Sequence, residues 1–344
     1  MKREALIFLT LSSQLACATD DPADWGDADE AQAQQVAAVD AGAVATTSGD
    51  AGVQAKVGEF SLQLVAPIPA FTGHSATPGF TSLLGKVYRG PLPEALVWEP
   101  KASAEGCTLS TPRVPFCEEG CGTGICVEDG VCKPSPATVN AGTLTVKGIR
   151  TEAGQTSFTV SPIRNNYITP GAVRLPYPAF DEGAAIEMTT SGGDIAPIAL
   201  TSSGVAPLTL SGGTAGGYPL ERGKPLALAW NKPGASSKSR IQVKLDISHH
   251  GGTKGKIECD VDDDGALSIP ASLTDALVDL GIAGFPTVMV TRSAIGSTST
   301  ALGRVDLRIY GYVETAVVIP GLVSCTDDSE CGGGKTCRDD KSCG

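Results

Sequence analysis

Two clusters of four cysteines are the feature that most limits how this chain of 344 residues can fold. One cluster lies in PFCEEGCGTGICVEDGVCKP and the other in SCTDDSECGGGKTCRDDKSCG. Segments this rich in glycine and acids cannot be ordered by core burial, so covalent loop closure, worth roughly 2 to 4 kcal/mol per bridge, is the plausible source of order. The cysteines predicted to form disulfides are Cys107, Cys117, Cys121, Cys126, Cys132, Cys259, Cys325, Cys331, Cys337 and Cys343.

A structural zinc site is the alternative for each cluster. Zinc clusters usually offer paired ligands two to four residues apart, whereas the second cluster has an even gap of five residues throughout. Disulfides are therefore favoured, provided that the chain is exported. Four cysteines can pair in three ways, and the sequence does not rank them. Cys107 and Cys259 are isolated; the simplest pairing joins them, although Cys107 could exchange into the neighbouring cluster.

The beginning of the chain predicts export. Lys2 and Arg3 form a positive region, an apolar run follows over 5–11, and small residues approach Cys17, which is the pattern of a secretory signal over 1–17. Gln14-Leu15-Ala16-Cys17 resembles the lipobox of bacterial lipoproteins, which implies a lipid-modified Cys17 and a lipid bilayer as partner. Ordinary signal-peptidase cleavage is the alternative. Without Cys17, ten of the eleven cysteines remain, and an even number can all pair.

Composition divides the rest of the chain. Residues 18–56 are rich in Ala, Asp, Gln, Gly and Thr and show scarcely any apolar periodicity, which predicts a flexible tether. The remaining predicted segments are a small β unit over 57–106, a Cys-rich module over 107–137, one or more β-sandwich domains over 138–323, and a C-terminal Cys-rich module over 324–344. The cysteine clusters resemble the short Cys-rich modules of secreted proteins in myxobacteria and their relatives, which implies an exported protein of the cell envelope.

The strand pattern predicts an all-β fold. In RIQVKLDI, the apolar Ile241, Val243 and Leu245 alternate with polar residues, and RVDLRIYGY repeats the alternation. Many short strands without long helices predict a sandwich rather than a parallel α/β sheet. One short helix is expected from a cap at Ser272 to Leu280. A brief helix between strands and a strand bearing Trp230 resemble immunoglobulin-like β-sandwiches of secreted bacterial proteins.

The strongest metal-like run is DVDDDG. Asp260, Asp262 and Asp264, followed by Gly265, match the opening of a calcium loop, which predicts a possible weak calcium site as the only cofactor. The twelfth position is Ala271, where an EF-hand needs a bidentate Glu. The favoured alternative is a hairpin from IECDV to ALSIP, turned at Asp264 and Gly265.

The histidines predict no catalytic site. His249 and His250 can be combined with Cys259 into an imagined copper or zinc site, but adjacent histidines on a strand point to opposite faces. A solvated strand end is the preferred interpretation, and His74 has no discernible partner. No Gly-x-Ser-x-Gly elbow, Walker loop or dinucleotide fingerprint accompanies them, so no catalytic residue is expected.

The formal net charge of −12 argues against nucleic acid as a partner, because phosphate binding needs a surplus of Lys and Arg on one face. The leading expectation is a non-enzymatic, lipid-tethered cell-envelope protein of the outer membrane, whose β-sandwich serves adhesion, scaffolding or recognition of a surface protein or glycan; secretion is the alternative location. The alternative is a secreted module that binds carbohydrate or calcium. A hydrolase is a third, less favoured class.

Overall fold

The computed structural model describes residues 54–70, 75–214 and 216–344. The predicted signal, the lipidation site at Cys17, nearly all of the predicted tether and His74 lie outside the described residues. Within the described part, no helix is long and apolar enough to cross a membrane.

Strands make up nearly all of the regular secondary structure in the described residues, with one α-helix, which confirms the all-β fold. The first ten strands are β1 (Lys56–Val65), β2 (Phe80–Val87), β3 (Val97–Ala104), β4 (Cys107–Arg113), β5 (Gly124–Glu128), β6 (Val131–Pro134), β7 (Leu144–Lys147), β8 (Ser157–Val160), β9 (Asn166–Ile168) and β10 (Ala185–Thr190). The others are β11 (Ala199–Ser203), β12 (Leu210–Ser211), β13 (Tyr218–Pro219), β14 (Leu226–Trp230), β15 (Arg240–Asp246), β16 (Lys256–Asp262), β17 (Ala266–Ile269), β18 (Thr287–Ser299) and β19 (Arg304–Val318).

A ten-stranded central sheet organises the fold. Its strands follow the order β3, β4, β16, β15, β18, β19, β1, β2 and β9, and β13 pairs with the far end of β19. Strands β1 and β13 run parallel to β19, and the other pairs are antiparallel. Residues 57–106, expected as a separate small β unit, instead supply β1, β2 and β3 to this sheet. These strands join the central sheet because their apolar residues align with those of β19. Leu62 lies beside Ile309 on one side and Leu83 on the other, and all three are buried in one core.

Two smaller sheets pack on the same face of the central sheet, which makes the molecule a sandwich. The four-stranded sheet has the order β11, β10, β7, β8, and the three-stranded sheet has the order β12, β14, β17. Along β19, Val305, Leu307 and Ile309 enter one core, while Val317 enters the second. We call the face that bears these residues the inner face, and the opposite face the outer face.

The predicted helix is present, with different ends. Helix α1 spans Ala271–Asp279 and follows Pro270, which makes no side-chain cap, so Ser272 lies inside the helix rather than capping it. Proline suits the beginning of a helix because the first N–H groups have no partner within the helix. Leu273 and Leu277 are buried in the second core, whereas Leu280 follows the last turn.

The ten described cysteines form five disulfides, which confirms the predicted set. Both clusters have the same connectivity, first to third and second to fourth, a choice that the sequence left open. The bonds within the clusters are Cys117–Cys126, Cys121–Cys132, Cys325–Cys337 and Cys331–Cys343. The fifth, Cys107–Cys259, joins directly opposed residues of β4 and β16. The bonded sulfurs are not available as zinc ligands.

The two Cys-rich modules differ in how they meet the sheets. In the C-terminal module, Cys325 is buried, the Ser324 hydroxyl donates to the Gly284 carbonyl at 2.6 Å, and the Gly284 N–H donates to the Asp340 carbonyl at 2.7 Å. The first module contains the β5–β6 hairpin, and its neighbouring Val114 and Phe116 are exposed. The C-terminal module is therefore docked, and the first module presents apolar side chains to solvent.

Candidate functional site

The acidic run lies at a corner between two sheets. Strand β16 pairs with β15 and β4, whereas β17 pairs with β14, so the predicted hairpin between β16 and β17 is wrong. The chain changes sheets at 263–265, where Gly265 adopts a φ of +100° that favours glycine. This corner connects the central sheet to the three-stranded sheet.

An arginine occupies the position that the calcium prediction reserved for an ion. Arg240 Nε donates to Asp260 Oδ1 at 2.6 Å, and its Nη1 donates to Asp262 Oδ1 at 2.7 Å. Asp264 instead accepts from the backbone N–H of Ala266 at 3.3 Å. Among the described residues, these three carboxylates do not bring their oxygens into one potential ligand group. A calcium ion would have to displace Arg240 from the carboxylates of Asp260 and Asp262. Calcium binding at this run stays a prediction.

Asp263, which the sequence analysis did not single out, is the most strongly held carboxylate of the run. It accepts from Arg292 Nε at 2.6 Å, from the Ser239 hydroxyl at 2.6 Å and from Trp230 Nε1 at 2.8 Å. Burial alone would raise the pKa of Asp263, but the hydrogen bonds from Arg292, Ser239 and Trp230 outweigh it and hold the pKa below its usual value. Asp263 therefore remains charged inside the protein.

Arg292 is fully buried on the inner face of β18. Besides Asp263, it donates to the carbonyls of Pro207 at 3.1 Å and Asn231 at 2.5 Å, which belong to the segments flanking β12 and β14. The guanidinium thus joins the central sheet to the three-stranded sheet at the corner. A charge with this many partners is satisfied, and the arrangement is suited to holding two sheets together rather than to binding a ligand.

The two neighbouring histidines lie in a turn after β15 rather than on a strand. His250 has a φ of +61°, and the ring centroids of His249 and His250 are 4.0 Å apart, so the expectation of opposite faces is wrong. The His249 carbonyl accepts from Phe285 N–H at 2.8 Å, and the neighbouring Gly284 N–H donates to the Asp340 carbonyl of the C-terminal module at 2.7 Å. Cys259, the third residue of the imagined metal site, is bonded to Cys107.

The outer face of the central sheet carries a different kind of site. Both hydrophobic cores are built from inner-face residues, so the outer face lies opposite them. At its centre lie polar and aromatic side chains from three strands, β15, β19 and β1, with β18 between β15 and β19. We define the outer-face cluster as Gln63, Gln242, Asp306, Arg308, Tyr310 and Tyr312.

Arg308 and Tyr310 form the centre of the outer-face cluster. The guanidinium carbon of Arg308 lies 4.4 Å from the centroid of the Tyr310 ring, within the range of a cation–π contact. Arg308 Nη2 donates to Gln242 Oε1 at 3.0 Å, and the Tyr310 hydroxyl donates to Gln63 Oε1 at 3.2 Å. The cluster therefore links β15, β19 and β1 through side chains.

Burial changes the acid–base properties of this pair. It raises the pKa of Tyr310 to about 12, against a partial lowering by the charge of Arg308. Burial also lowers the pKa of Arg308. Tyr310 is thus a neutral phenol at physiological pH. Tyr312, the next outward residue, is 39% exposed, and Ile295 beside Arg308 is 52% exposed.

The outer face continues toward the edge of the sheet with mixed charges. Lys256 lies 4.1 Å above the ring of Trp98 and donates to Glu258 at 2.7 Å, and Asp306 accepts from the Ser297 hydroxyl at 2.7 Å. Cations and anions therefore both occur on this face. Tyr and Arg are the residues enriched at the energetic centres of binding interfaces. Aromatic rings and amide groups together can bind either a protein surface or the polar and apolar faces of a sugar.

The outer-face cluster was missed by the sequence analysis, although a signal existed. The alternation in RVDLRIYGY predicts the inner face of β19 correctly, and the same alternation places Asp306, Arg308 and Tyr310 on the opposite face. Their partners Gln63 and Gln242 come from strands far away in sequence, so only the sheet order reveals the cluster.

No protein-family description matches this chain, and no curated protein sequence matches it significantly.

Proposed function

We propose that this chain is an exported, non-enzymatic protein of the cell envelope, tethered by lipid at Cys17, which recognises a surface protein or glycan through the outer face of its central sheet. The observation that carries the proposal is the outer-face cluster: a charged and aromatic array, ordered by hydrogen bonds, on the face opposite both hydrophobic cores.

The chemistry of the cluster supports recognition rather than catalysis. The buried Tyr310 keeps its proton, and Arg308 is engaged with Gln242 and Tyr310, so both side chains are held in place before a partner arrives. Preorganised side chains lose little conformational entropy on binding. The more exposed Tyr312 and Ile295 offer apolar contact area beside this polar centre.

The disulfides support an oxidising location. All ten described cysteines are paired, which is typical of exported proteins and rare in the reducing cytosol. Intact-mass measurement of the membrane fraction tests the anchor: we expect a diacylglyceryl-modified Cys17 and the loss of ten protons to disulfides. An unlipidated product with free thiols would overturn both the tether and the location.

Cross-linking capture on living cells tests recognition. A variant combining Gln63→Ala, Gln242→Ala and Tyr312→Ala should lose the partner that the unchanged protein recovers. A matched control combines Lys147→Ala and Glu187→Ala, two exposed and directly paired residues of the four-stranded sheet. Equal recovery by both variants would contradict a role for the outer face, whatever the outcome at Cys17.

A further inference from the structure

One side of β19 is left without a neighbour over a short stretch. Strand β1 pairs with β19 up to Leu64 beside Gly311, and β13 begins to pair at Tyr218 beside Val317. Residues 312–316 lie between these two ladders, with β18 on their other side. We call this interruption the β19 gap. It is the length of a three- to five-residue strand.

The direction of the backbone groups in the β19 gap follows from the bonds at its end. The Val317 N–H donates to Pro286 on the β18 side, whereas the Val318 carbonyl accepts from Leu220 on the β13 side. Successive residues of a strand alternate direction, so the backbone groups of Tyr312, Glu314 and Ala316 point into the gap.

Four of these backbone groups are open. In the parallel ladders, the Leu64 carbonyl accepts a hydrogen bond from the Tyr312 N–H, and the Tyr218 N–H donates one to the Ala316 carbonyl. The Tyr312 carbonyl, both groups of Glu314 and the Ala316 N–H then remain, and no turn or loop among the described residues bonds to them. Their spacing is that of a strand template, with two acceptors and two donors in alternation.

A cavity of about 410 Å³ adjoins the β19 gap on the inner side. Val313 and Thr315, whose side chains alternate with the outward Glu314, contribute to its wall, and Leu208, Leu210 and Tyr218 form the opposite wall. None of the residues that line it carries a charged side chain. Its volume accommodates an apolar side chain that enters from a strand in the gap.

We propose that the β19 gap binds an extended peptide segment of a partner protein by strand addition, parallel to β19. Two apolar residues of the segment, beside Val313 and Thr315, point into the cavity. The residue between them points outward beside the exposed Glu314 and is basic. Only a peptide offers the alternating N–H and C=O groups that match the four open groups, which excludes a glycan as the occupant. This site shares only the backbone of Tyr312 with the outer-face cluster and does not depend on the function proposed above.

The experiment uses the full chain and the peptide acetyl-Thr-Val-Lys-Val-Thr-amide with a fluorescent label. Its valines supply the two N–H donors and the two apolar side chains, and its lysine lies beside Glu314. We expect saturable binding by anisotropy and at least fivefold slower amide exchange at Glu314 and Ala316. Methylation of both valine nitrogens keeps the side chains but removes the donors, and should weaken binding about tenfold or more.

A charge exchange keeps the test independent of folding. Glu314→Lys should weaken binding of the lysine peptide and strengthen binding of the version with glutamate in its place. Glu187→Lys, an exposed strand glutamate of another sheet, is the matched control and should leave both affinities unchanged.

Three outcomes would overturn the proposal: no binding of the lysine peptide, equal binding of its methylated form, or no protection of the Glu314 and Ala316 amides. Protection of these amides that rises with protein concentration without peptide would show that a second copy of the chain occupies the β19 gap, and would also overturn it.

Discussion

Two arginines on neighbouring strands show how differently the two faces of the central sheet use the same side chain. Arg292 of β18 points inward and is fully buried, bonded to a carboxylate and to backbone carbonyls of another sheet. Arg308 of β19 points outward, against a tyrosine ring and a glutamine of its own sheet. The inner arginine connects two layers, whereas the outer arginine organises a single layer.

The difference lies in the partners that the fold supplies. A buried cation needs a charged partner and further hydrogen bonds to offset its desolvation, and the corner at Asp263 provides both. On the outer face, Arg308 donates to the amide of Gln242 and lies against the ring of Tyr310, and both of these residues belong to its own sheet. Stability should therefore depend strongly on the inner arginine, and recognition on the outer cluster.

The largest effect is expected at Arg292. Substitution Arg292→Met leaves Asp263 charged and buried without its main partner, and should lower the free energy of unfolding by about 3 to 5 kcal/mol. Urea denaturation followed by circular dichroism measures the loss. The matched control is Arg240→Met, which breaks exposed ion pairs with Asp260 and Asp262 and should cost at most about 1 kcal/mol. Equal losses in the two variants would remove the distinction between the faces.

The second effect concerns the disulfide whose two cysteines are both in the second core. Replacing Cys107 and Cys259 together by alanine opens a covalent link between residues 152 positions apart. The free energy of unfolding should fall by about 2 to 4 kcal/mol, chiefly because the unfolded chain gains conformational freedom. Differential scanning calorimetry under non-reducing conditions measures this change. A shift no larger than that of Cys117→Ala with Cys126→Ala, which opens a short exposed loop, would contradict the expectation.

The third prediction tests the outer face through pH. Because burial raises the pKa of Tyr310 from 10.0 to about 12, the unfolded chain loses this proton at a lower pH than the folded protein. The contribution of Tyr310 is complete below pH 10 and is lost as the pH rises toward 12, by roughly 2 kcal/mol. Tyr310→Phe should show a shallower decline over this range in urea denaturation, and a phenolate absorbance forming near pH 12 should disappear. Parallel declines would place Tyr310 in a less buried site than the structure does.

The smallest effects are expected at the amides of the outer-face cluster. Gln63→Ala and Gln242→Ala each remove one hydrogen bond to a neighbouring side chain, and should cost about 0.5 to 1.5 kcal/mol in chemical denaturation. A loss as large as that of Arg292→Met would show that the outer face also determines the stability of the fold.

The contrast between the faces also explains what the sequence could predict. Alternation in RVDLRIYGY and RIQVKLDI is a local signal, so the strands and their inner residues were predicted correctly. Sheet order is not local: nothing within 57–65 indicates that β1 lies beside β19, and the expectation of a separate N-terminal unit failed for that reason.

The acidic run shows the same limit at the level of single residues. Spacing alone favoured Asp260, Asp262 and Asp264 as calcium ligands. Which carboxylate instead binds the buried arginine depends on which one faces inward, and spacing does not show this. Asp263 occupies the corner between sheets, and its partner Arg292 is 29 positions later in the chain. The disulfide partners likewise required three-dimensional proximity, because the spacing within each cluster permits three pairings.

The position of β1 has a mechanical consequence. The strand begins at Lys56 and lies between β19, to which it is parallel, and β2. A force that pulls residue 56 along the axis of β1 loads the hydrogen bonds on both sides of the strand in shear, so that they must break together instead of one after another. An edge strand or a terminal hairpin would peel away under the same force. If the protein is held at its N-terminus while it binds a partner elsewhere, tension would therefore be resisted by two ladders of hydrogen bonds loaded together.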